Sequence, residues 1–146
     1  MTNKFRYNKF KSYGVDSKWE LKLKNGIFAN LQYHPKKISY TKPATDHTYE
    51  PDWVITTFRG FTEKRIYIEA KGRFRDRAEW TKYLYIREAL TDTEELIFLF
   101  MRPQTPMPGA QTRKNGTKRS HSEWAEAEGF RWYDETSILT LIGDKQ

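Results

Sequence analysis

The strongest hydrophobic pattern of the chain lies between residues 76 and 90. Large side chains recur there at positions i, i+3, i+4 and i+7, which is the period of one helix face. They are Trp80, Tyr83, Leu84 and Arg87, with Ile86, Ala89 and Leu90 widening the face. Residues 95–101 (ELIFLFM) form a nearly unbroken apolar run, typical of a strand buried on both faces. We therefore predict a long amphipathic helix followed by the central strand of a sheet.

Weaker patterns predict one helix and several strands before this long helix. Asp16 or Ser17 can cap a helix that runs to about Lys24, and Gly26 is placed to end it in the left-handed conformation. Alternating polar and apolar positions predict strands over residues 27–33, 37–41, 51–56 and 65–70. The last two strands are close enough to form a hairpin through residues 58–60.

The C-terminal third begins with a long irregular segment, residues 102–119, which contains prolines, glycines and five basic residues. Ser120 and Glu123 then form a capping box for a helix through Glu128, with Gly129 as its stop and a short strand near residues 130–132. This order of elements predicts an α/β fold with a mixed sheet flanked by helices. A length of 146 residues fits a single domain over residues 1–146.

The composition limits the chemistry and the location that the chain can have. The chain has no cysteine, which excludes disulfides, thiolate nucleophiles and zinc knuckles and suits a reducing cytoplasm. It has no apolar run long enough to span a membrane and no apolar stretch near its N-terminus of the signal-peptide type. We therefore expect a cytoplasmic protein that has no membrane partner.

Positive charge is concentrated in two segments, and this favours a polyanionic partner. The net charge is +7, and residues 1–43 carry ten basic and two acidic side chains, whereas residues 101–119 carry five basic and none acidic. In the N-terminal arm, residues 1–15, aromatic side chains alternate with basic ones, as in segments that contact phosphates and stack on bases. A solvated terminus explains the same arm about as well. The candidate DNA-binding residues are Arg6, Lys9, Lys11, Arg73, Arg75, Arg113 and Lys114.

A group of charged residues around the predicted hairpin suggests a catalytic centre. In the strand that ends at residue 71, alternation places Glu69 and Lys71 on the same face. On its own this pair is more simply explained as part of an exposed charged face. Hairpin pairing, however, brings Asp52 close to Glu69, and two carboxylates about 4 Å apart repel each other by roughly 1 to 4 kcal/mol.

A divalent cation would remove this repulsion. Carboxylate oxygens suit Mg²⁺ or Mn²⁺, and the backbone carbonyl of Ala70 can add a further ligand beside Asp52 and Glu69. The ammonium group of Lys71 could then orient the attacking water, help to deprotonate it, and stabilise charge that develops on a phosphoryl group. The residues thus predict metal-assisted phosphodiester hydrolysis.

The spacing Pro51-Asp52, then Glu69-x-Lys71, resembles the PD-(D/E)xK nuclease signature. The surrounding blocks resemble, in order, those of the phage endonuclease I family of Holliday junction resolvases. They are Ser17–Glu20 (SKWE), His47–Trp53 (HTYEPDW), Ile68–Gly72 (IEAKG) and Lys82–Glu88 (KYLYIRE).

The resemblance implies a restriction-endonuclease-like fold assembled as a domain-swapped homodimer with shared active sites, with residues 36–45 as the connector between subunits. It implies that Glu20, Asp52, Glu69 and Lys71 are catalytic, with Glu20 reaching a second metal ion. The implied activity is the resolution of four-way junctions and other branched DNA by paired nicks that leave 5′-phosphate ends. For a phage-encoded chain, the location would be the cytoplasm of the infected cell.

Two assignments have alternatives. Glu20 stands three positions after Ser17, so a capping box explains it as well as a metal ligand does. His47 is the histidine closest in sequence to the predicted site, and a hydrogen-bonded structural role is favoured over metal ligation. His34 and His121 offer no evident partner in the sequence.

Two other functions are compatible with the sequence. One is a sequence-specific or nicking endonuclease on the same fold, because one fold serves many nucleases. The other is a basic nucleic-acid-binding module whose acidic residues are only surface charge. Metal-dependent cleavage of DNA separates the enzymes from the binding module.

Overall fold

The computed structural model describes residues 17–42 and 45–143, in two compact units, Met1–Leu31 and Gln32–Gln146. The helices are α1 (Lys18–Asn25), α2 (Arg77–Ala89), α3 (His121–Glu128) and α4 (Leu139–Ile142). The strands are β1 (Gln32–Tyr33), β2 (Ile38–Lys42), β3 (Thr45–Tyr49), β4 (Trp53–Arg59), β5 (Thr62–Lys71), β6 (Glu94–Phe100) and β7 (Trp132–Tyr133). Within the described ranges, no helix has the length and apolar character needed to cross a membrane.

In the first unit, helix α1 begins where the sequence predicts and ends differently. The hydroxyl of Ser17 caps it by accepting the backbone N–H of Glu20 at 3.1 Å. The predicted left-handed Gly26 is wrong, because its φ is −115°. Glycine is nevertheless required there, since a Cβ would stand 2.9 Å from the carbonyl oxygen of Lys22.

The predicted strand over residues 27–33 is also wrong, apart from β1 at its end. After Gly26 the chain turns instead of extending, because the backbone N–H of Phe28 donates to the carbonyl of Leu23 at 2.9 Å and that of Leu31 to Phe28 at 3.0 Å. Backbone groups bound within the turn are not available to a strand ladder.

The second unit is built on a five-stranded mixed sheet in the order β1-β4-β5-β6-β7. Strand β4 is antiparallel to β1 and β5, whereas β5, β6 and β7 run parallel. This confirms the predicted mixed sheet with helices. The predicted central strand, β6, is buried along residues 96–100 but is fourth in order, and β5 occupies the middle.

The β4–β5 hairpin is the element that positions the candidate site. It turns at Gly60, whose φ of +65° is in the left-handed region that glycine adopts without strain. The register pairs Arg59 with Thr62 at the turn and Trp53 with Ile68 at the far end. Both strands are longer than predicted, because pairing continues through the polar residues on either side of the turn.

Helix α2 packs its predicted apolar face on the core of the sheet, with Tyr83 and Ile86 fully buried. Strands β2 and β3 form a separate antiparallel hairpin. The sequence does not predict β3, because four of its five side chains are exposed and its pattern is polar. The prediction that residues 36–45 connect two subunits stays a prediction.

The helix start and stop signals predicted in the C-terminal part are confirmed. Helix α3 has the complete capping box of Ser120 and Glu123, and Gly129 follows it with a φ of +80°. The segment 102–119 is irregular as predicted, and it is fastened to the start of α3 by a bridge between Pro106 and Ser120. Helix α4, a single turn, was not predicted.

Candidate active site

The β4–β5 register brings Asp52 and Glu69 to the same end of the hairpin. Because Trp53 faces Ile68, the next position along each strand places Asp52 opposite Glu69. A hydrogen bond holds the carboxylate of Asp52 in this position, since its Oδ2 accepts the backbone N–H of Ala70 at 2.9 Å. Both acidic residues are buried, with relative exposures of 8% and 7%. The exposed charged face that a lone Glu69-Lys71 pair would favour is therefore excluded.

Glu69 is held by two buried phenols. Tyr49 donates its hydroxyl proton to Oε2 of Glu69, and Tyr83 donates to Oε1 at 2.8 Å. Burial, followed by the negative charge of Glu69, raises the pKa of both tyrosines well above the usual 10, so they remain protonated donors. These contacts stabilise a carboxylate that would otherwise be desolvated without a partner.

Sequence reasoning missed this role of the tyrosines. The helical spacing of Tyr83 predicts that it lies on the apolar face of its helix, and it is buried there. Tyr49 belongs to β3, the strand that the sequence did not predict. A polar atom on an apolar helix face was the only available signal, and that signal is common in cores.

Lys71 lies between two carboxylates at the end of β5. Its Nζ is 2.6 Å from Oε1 of Glu79 and 3.5 Å from Oε1 of Glu69. Burial works to lower the pKa of Lys71, but the charges of Glu69 and Glu79 outweigh it, and the pKa is raised. Lys71 is therefore an ammonium group at neutral pH.

Glu79 is a further residue that the sequence analysis did not identify. It stands in the first turn of α2, where Asp76 caps the helix by accepting the N–H of Glu79 at 2.9 Å. Its second oxygen accepts the backbone N–H of Arg75 at 2.6 Å. Burial works to raise the pKa of Glu79, but Lys71 and the backbone N–H of Arg75 lower it. Glu79 therefore carries a full negative charge beside Lys71.

His34, not His47, is the histidine at the site. Its Nδ1 lies 2.9 Å from Oε1 of Glu50, and its Nε2 lies 3.8 Å from Oδ1 of Asp52. The expectation that His34 has no partner is thus wrong, because the β1–β4 pairing that places it was not visible in the sequence. His47 bonds through Nε2 to the hydroxyl of Thr45 at 2.8 Å, which agrees with its predicted structural role.

Two comparisons with known proteins identify the family of the chain. The family model "Phage endonuclease I" matches residues 3–142. The chain belongs to the phage endonuclease I family. It is also 27% identical over 135 residues to Endodeoxyribonuclease 1 of Enterobacteria phage T3, an alignment that covers 91% of this chain and 76% of that relative. The resemblance inferred from the sequence blocks is thereby confirmed.

The other site candidates belong to other segments of the chain. Glu20 belongs to the first unit, on α1. Arg6, Lys9 and Lys11 fall outside the described residues. Arg113 forms an ion pair with Glu123 at 2.6 Å, and Lys114 is exposed beside it.

An open basic groove adjoins the C-terminal end of β5. It has a volume of about 800 Å³ and begins at Gly72, directly after Lys71. Three cationic side chains line it, together with backbone of the 102–119 segment: Arg73, Arg102 and Lys118. Of the two arginines predicted in this region, Arg73 lines the groove, whereas Arg75 points to solvent and pairs with Asp76 at 3.1 Å.

The donor set of the second unit fits a divalent cation. Asp52 and Glu69 supply hard anionic oxygens, which Mg²⁺ and Mn²⁺ prefer. The bond from Ala70 leaves Oδ1 of Asp52 directed at His34, and each oxygen of Glu69 retains a lone pair beside its phenol.

Proposed function

We propose that this chain is a divalent-metal-dependent DNA endonuclease that resolves four-way junctions and other branched DNA. The observation that carries the proposal is the convergence of Asp52, Glu69 and Lys71 at one end of the β4–β5 hairpin. Membership of the phage endonuclease I family and the similarity to an endodeoxyribonuclease support DNA as the substrate.

Each residue has a distinct role in the proposed reaction. Asp52, Glu69 and the carbonyl of Ala70 would hold Mg²⁺ or Mn²⁺, and Glu20 would serve a second ion. A bound divalent cation lowers the pKa of water and polarises a phosphoryl oxygen. The oxygen of a water molecule attacks phosphorus and the water loses a proton. The bond from phosphorus to the 3′ oxygen breaks and this oxygen takes up a proton, which leaves 5′-phosphate and 3′-hydroxyl ends.

Lys71 acts as a charged group in this scheme. Because it is an ammonium at neutral pH, it orients the attacking water and stabilises the charge on the pentacoordinate phosphorus. Its contact with Glu79 fixes the position of Nζ near Glu69. Arg73, Arg102 and Lys118 would contact the phosphates on either side of the one that is cleaved.

The quaternary structure belongs to the same proposal. Resolution needs two nicks, so we propose a domain-swapped homodimer of restriction-endonuclease-like subunits, with shared active sites and residues 36–45 as the connector. The place of action would be the cytoplasm of an infected host cell. Arg6, Lys9, Lys11, Arg113 and Lys114 would add contacts to the arms of the junction.

A substrate panel tests the activity. Purified protein is incubated with a four-way junction, a nicked duplex and a linear duplex of matched sequence, with and without Mg²⁺. We expect Mg²⁺-dependent cleavage of the junction at symmetric positions. Equal cleavage of linear duplex would indicate a sequence-specific or nicking enzyme, and binding without cleavage at any metal concentration would indicate a binding module.

A mixing experiment tests the shared site. In a heterodimer of a Glu20→Ala chain with an Asp52→Ala chain, a swapped arrangement gathers both changes into one site and leaves the other wild-type. We expect the co-refolded mixture to make single nicks in a junction, while each homodimer is inactive. An inactive mixture, with heterodimers verified by two different tags, would contradict the swap.

A further inference from the structure

His34 stands in an unusual backbone conformation next to the proposed metal ligands. Its φ is +49°, and among the described residues no other non-glycine residue has a positive φ. Only a few per cent of non-glycine residues adopt this conformation, and where it costs energy it is retained because the surroundings determine it. Here the β1–β4 ladder does so, because the N–H of His34 donates to the carbonyl of Asp52 at 2.7 Å.

The imidazole ring is oriented by contacts on two sides. Its Nδ1 lies 2.9 Å from the Glu50 carboxylate, and its plane stacks on Tyr33 with ring centroids 3.9 Å apart. A carboxylate accepts hydrogen bonds only, so the proton of the neutral ring is on Nδ1. The lone pair of Nε2 is then directed towards Asp52.

The gap between His34 and Asp52 suits a shared ion better than a direct hydrogen bond. The distance from Nε2 to Oδ1 is 3.8 Å, which is too long for a hydrogen bond. Two ligand atoms that each lie about 2.1 Å from one metal ion are roughly 3.0 to 3.6 Å apart at angles of about 90 to 120°. A shift of a few tenths of an ångström would bring both atoms onto one ion.

We infer that His34 is an additional ligand of the metal ion held by Asp52, and that Glu50 is the carboxylate that orients it. This inference rests on the proposed function, since it concerns the same site. The order carboxylate, imidazole, metal is a recurring arrangement in which the carboxylate fixes the ring and raises its basicity. An imidazole in the donor set also shifts the preference from Mg²⁺ towards Mn²⁺.

Mn²⁺ binding to the full chain without DNA tests this assignment. Electron spin-echo modulation of bound Mn²⁺ detects directly coordinated nitrogen, and the free Mn²⁺ signal gives the affinity. The variant is His34→Asn, because asparagine tolerates the positive φ. His47→Gln is the matched control, since His47 also bonds through its ring but lies away from Asp52.

We expect nitrogen coupling in the wild type and in His47→Gln, and its loss in His34→Asn with at least about tenfold weaker Mn²⁺ binding. Glu50→Gln should keep the coupling and weaken binding by about tenfold, as for other outer carboxylates. Absence of nitrogen coupling in the wild type, or its persistence in His34→Asn with native circular dichroism, would overturn the inference. In that case His34 only supports the local structure through its contact with Glu50.

The outcomes separate this inference from the proposed function. If the protein cleaves junctions but its bound Mn²⁺ shows no nitrogen coupling, the assignment of His34 as a ligand is wrong and the proposed function stands. Nitrogen-coordinated Mn²⁺ in a protein that cleaves no DNA would uphold the ligand and contradict the endonuclease.

Discussion

Replacing Glu79 with glutamine keeps the shape of the side chain at the start of α2 but removes the charge that holds Lys71. In the wild type Nζ of Lys71 is 2.6 Å from Glu79 and 3.5 Å from Glu69. A neutral glutamine leaves Glu69 as the stronger partner, so Nζ should approach it to about 2.8 Å, the usual length of such a contact. At an effective dielectric of about 20, this approach strengthens the attraction between Lys71 and Glu69 by about 1.2 kcal/mol.

A metal ion at Glu69 must then compete with a closer ammonium group. A difference of about 1.2 kcal/mol corresponds to roughly a sevenfold weaker apparent affinity for Mg²⁺. We expect the half-saturating Mg²⁺ concentration for junction cleavage to rise by about five- to tenfold in Glu79→Gln. The rate at saturating Mg²⁺ should fall less, because Lys71 remains charged beside the reacting phosphate.

The assay measures the initial rate of junction cleavage across a Mg²⁺ titration. Glu123→Gln is the matched control, because Glu123 also forms a 2.6 Å ion pair, with Arg113, but on an exposed surface. Glutamine at that position also preserves the capping box. An unchanged half-saturating Mg²⁺ concentration in Glu79→Gln would show that Glu79 does not keep Lys71 away from Glu69.

Three further predictions concern neighbouring groups. Lys71→Ala should lower junction cleavage by at least about a hundredfold with unchanged junction affinity. The exposed control Lys64→Ala should cleave normally. Near-normal cleavage by Lys71→Ala would contradict the proposed role of Lys71 in the reaction. Glu69→Gln should lower the free energy of unfolding by about 1 to 3 kcal/mol in urea titrations without metal, because two buried phenols lose an anionic acceptor. Equal or greater stability would show that repulsion from Asp52 dominates.

The third prediction concerns His121. Burial, followed by the positive charges of Lys71 and Arg73, lowers the pKa of His121 from 6.5 to about 4. The unfolded chain binds this proton before the folded one, so stability should fall by about 2 to 3 kcal/mol between pH 7 and 4.5. The His121→Phe variant should lose less stability than the wild type over this pH range. A loss equal to that of the wild type would refute the assignment to His121.

Much of the fold could be predicted because its signals are local. The spacing of Tyr83 and Ile86 on α2 and the capping box at Ser120 depend on residues within a few positions of one another. That Asp52 comes near Glu69 was predicted from the hairpin, whereas the exact register was decided by the turn at Gly60. The errors at Gly26 and β3 arose where the backbone bonds inside a turn and where a strand exposes most of its side chains.

The sequence by itself determined the helices α1 to α3, strand β6, the β4–β5 hairpin and the convergence of Asp52, Glu69 and Lys71, because each of these depends on periodicity or on neighbours along the chain. Only the tertiary structure decided what surrounds them. Tyr49 reaches Glu69 across 20 positions, and His34 reaches Asp52 through the pairing of β1 with β4. Such contacts leave no periodic trace, because they depend on how separate elements pack together. The second carboxylate at Lys71 and the imidazole at Asp52 therefore emerged only from the folded chain.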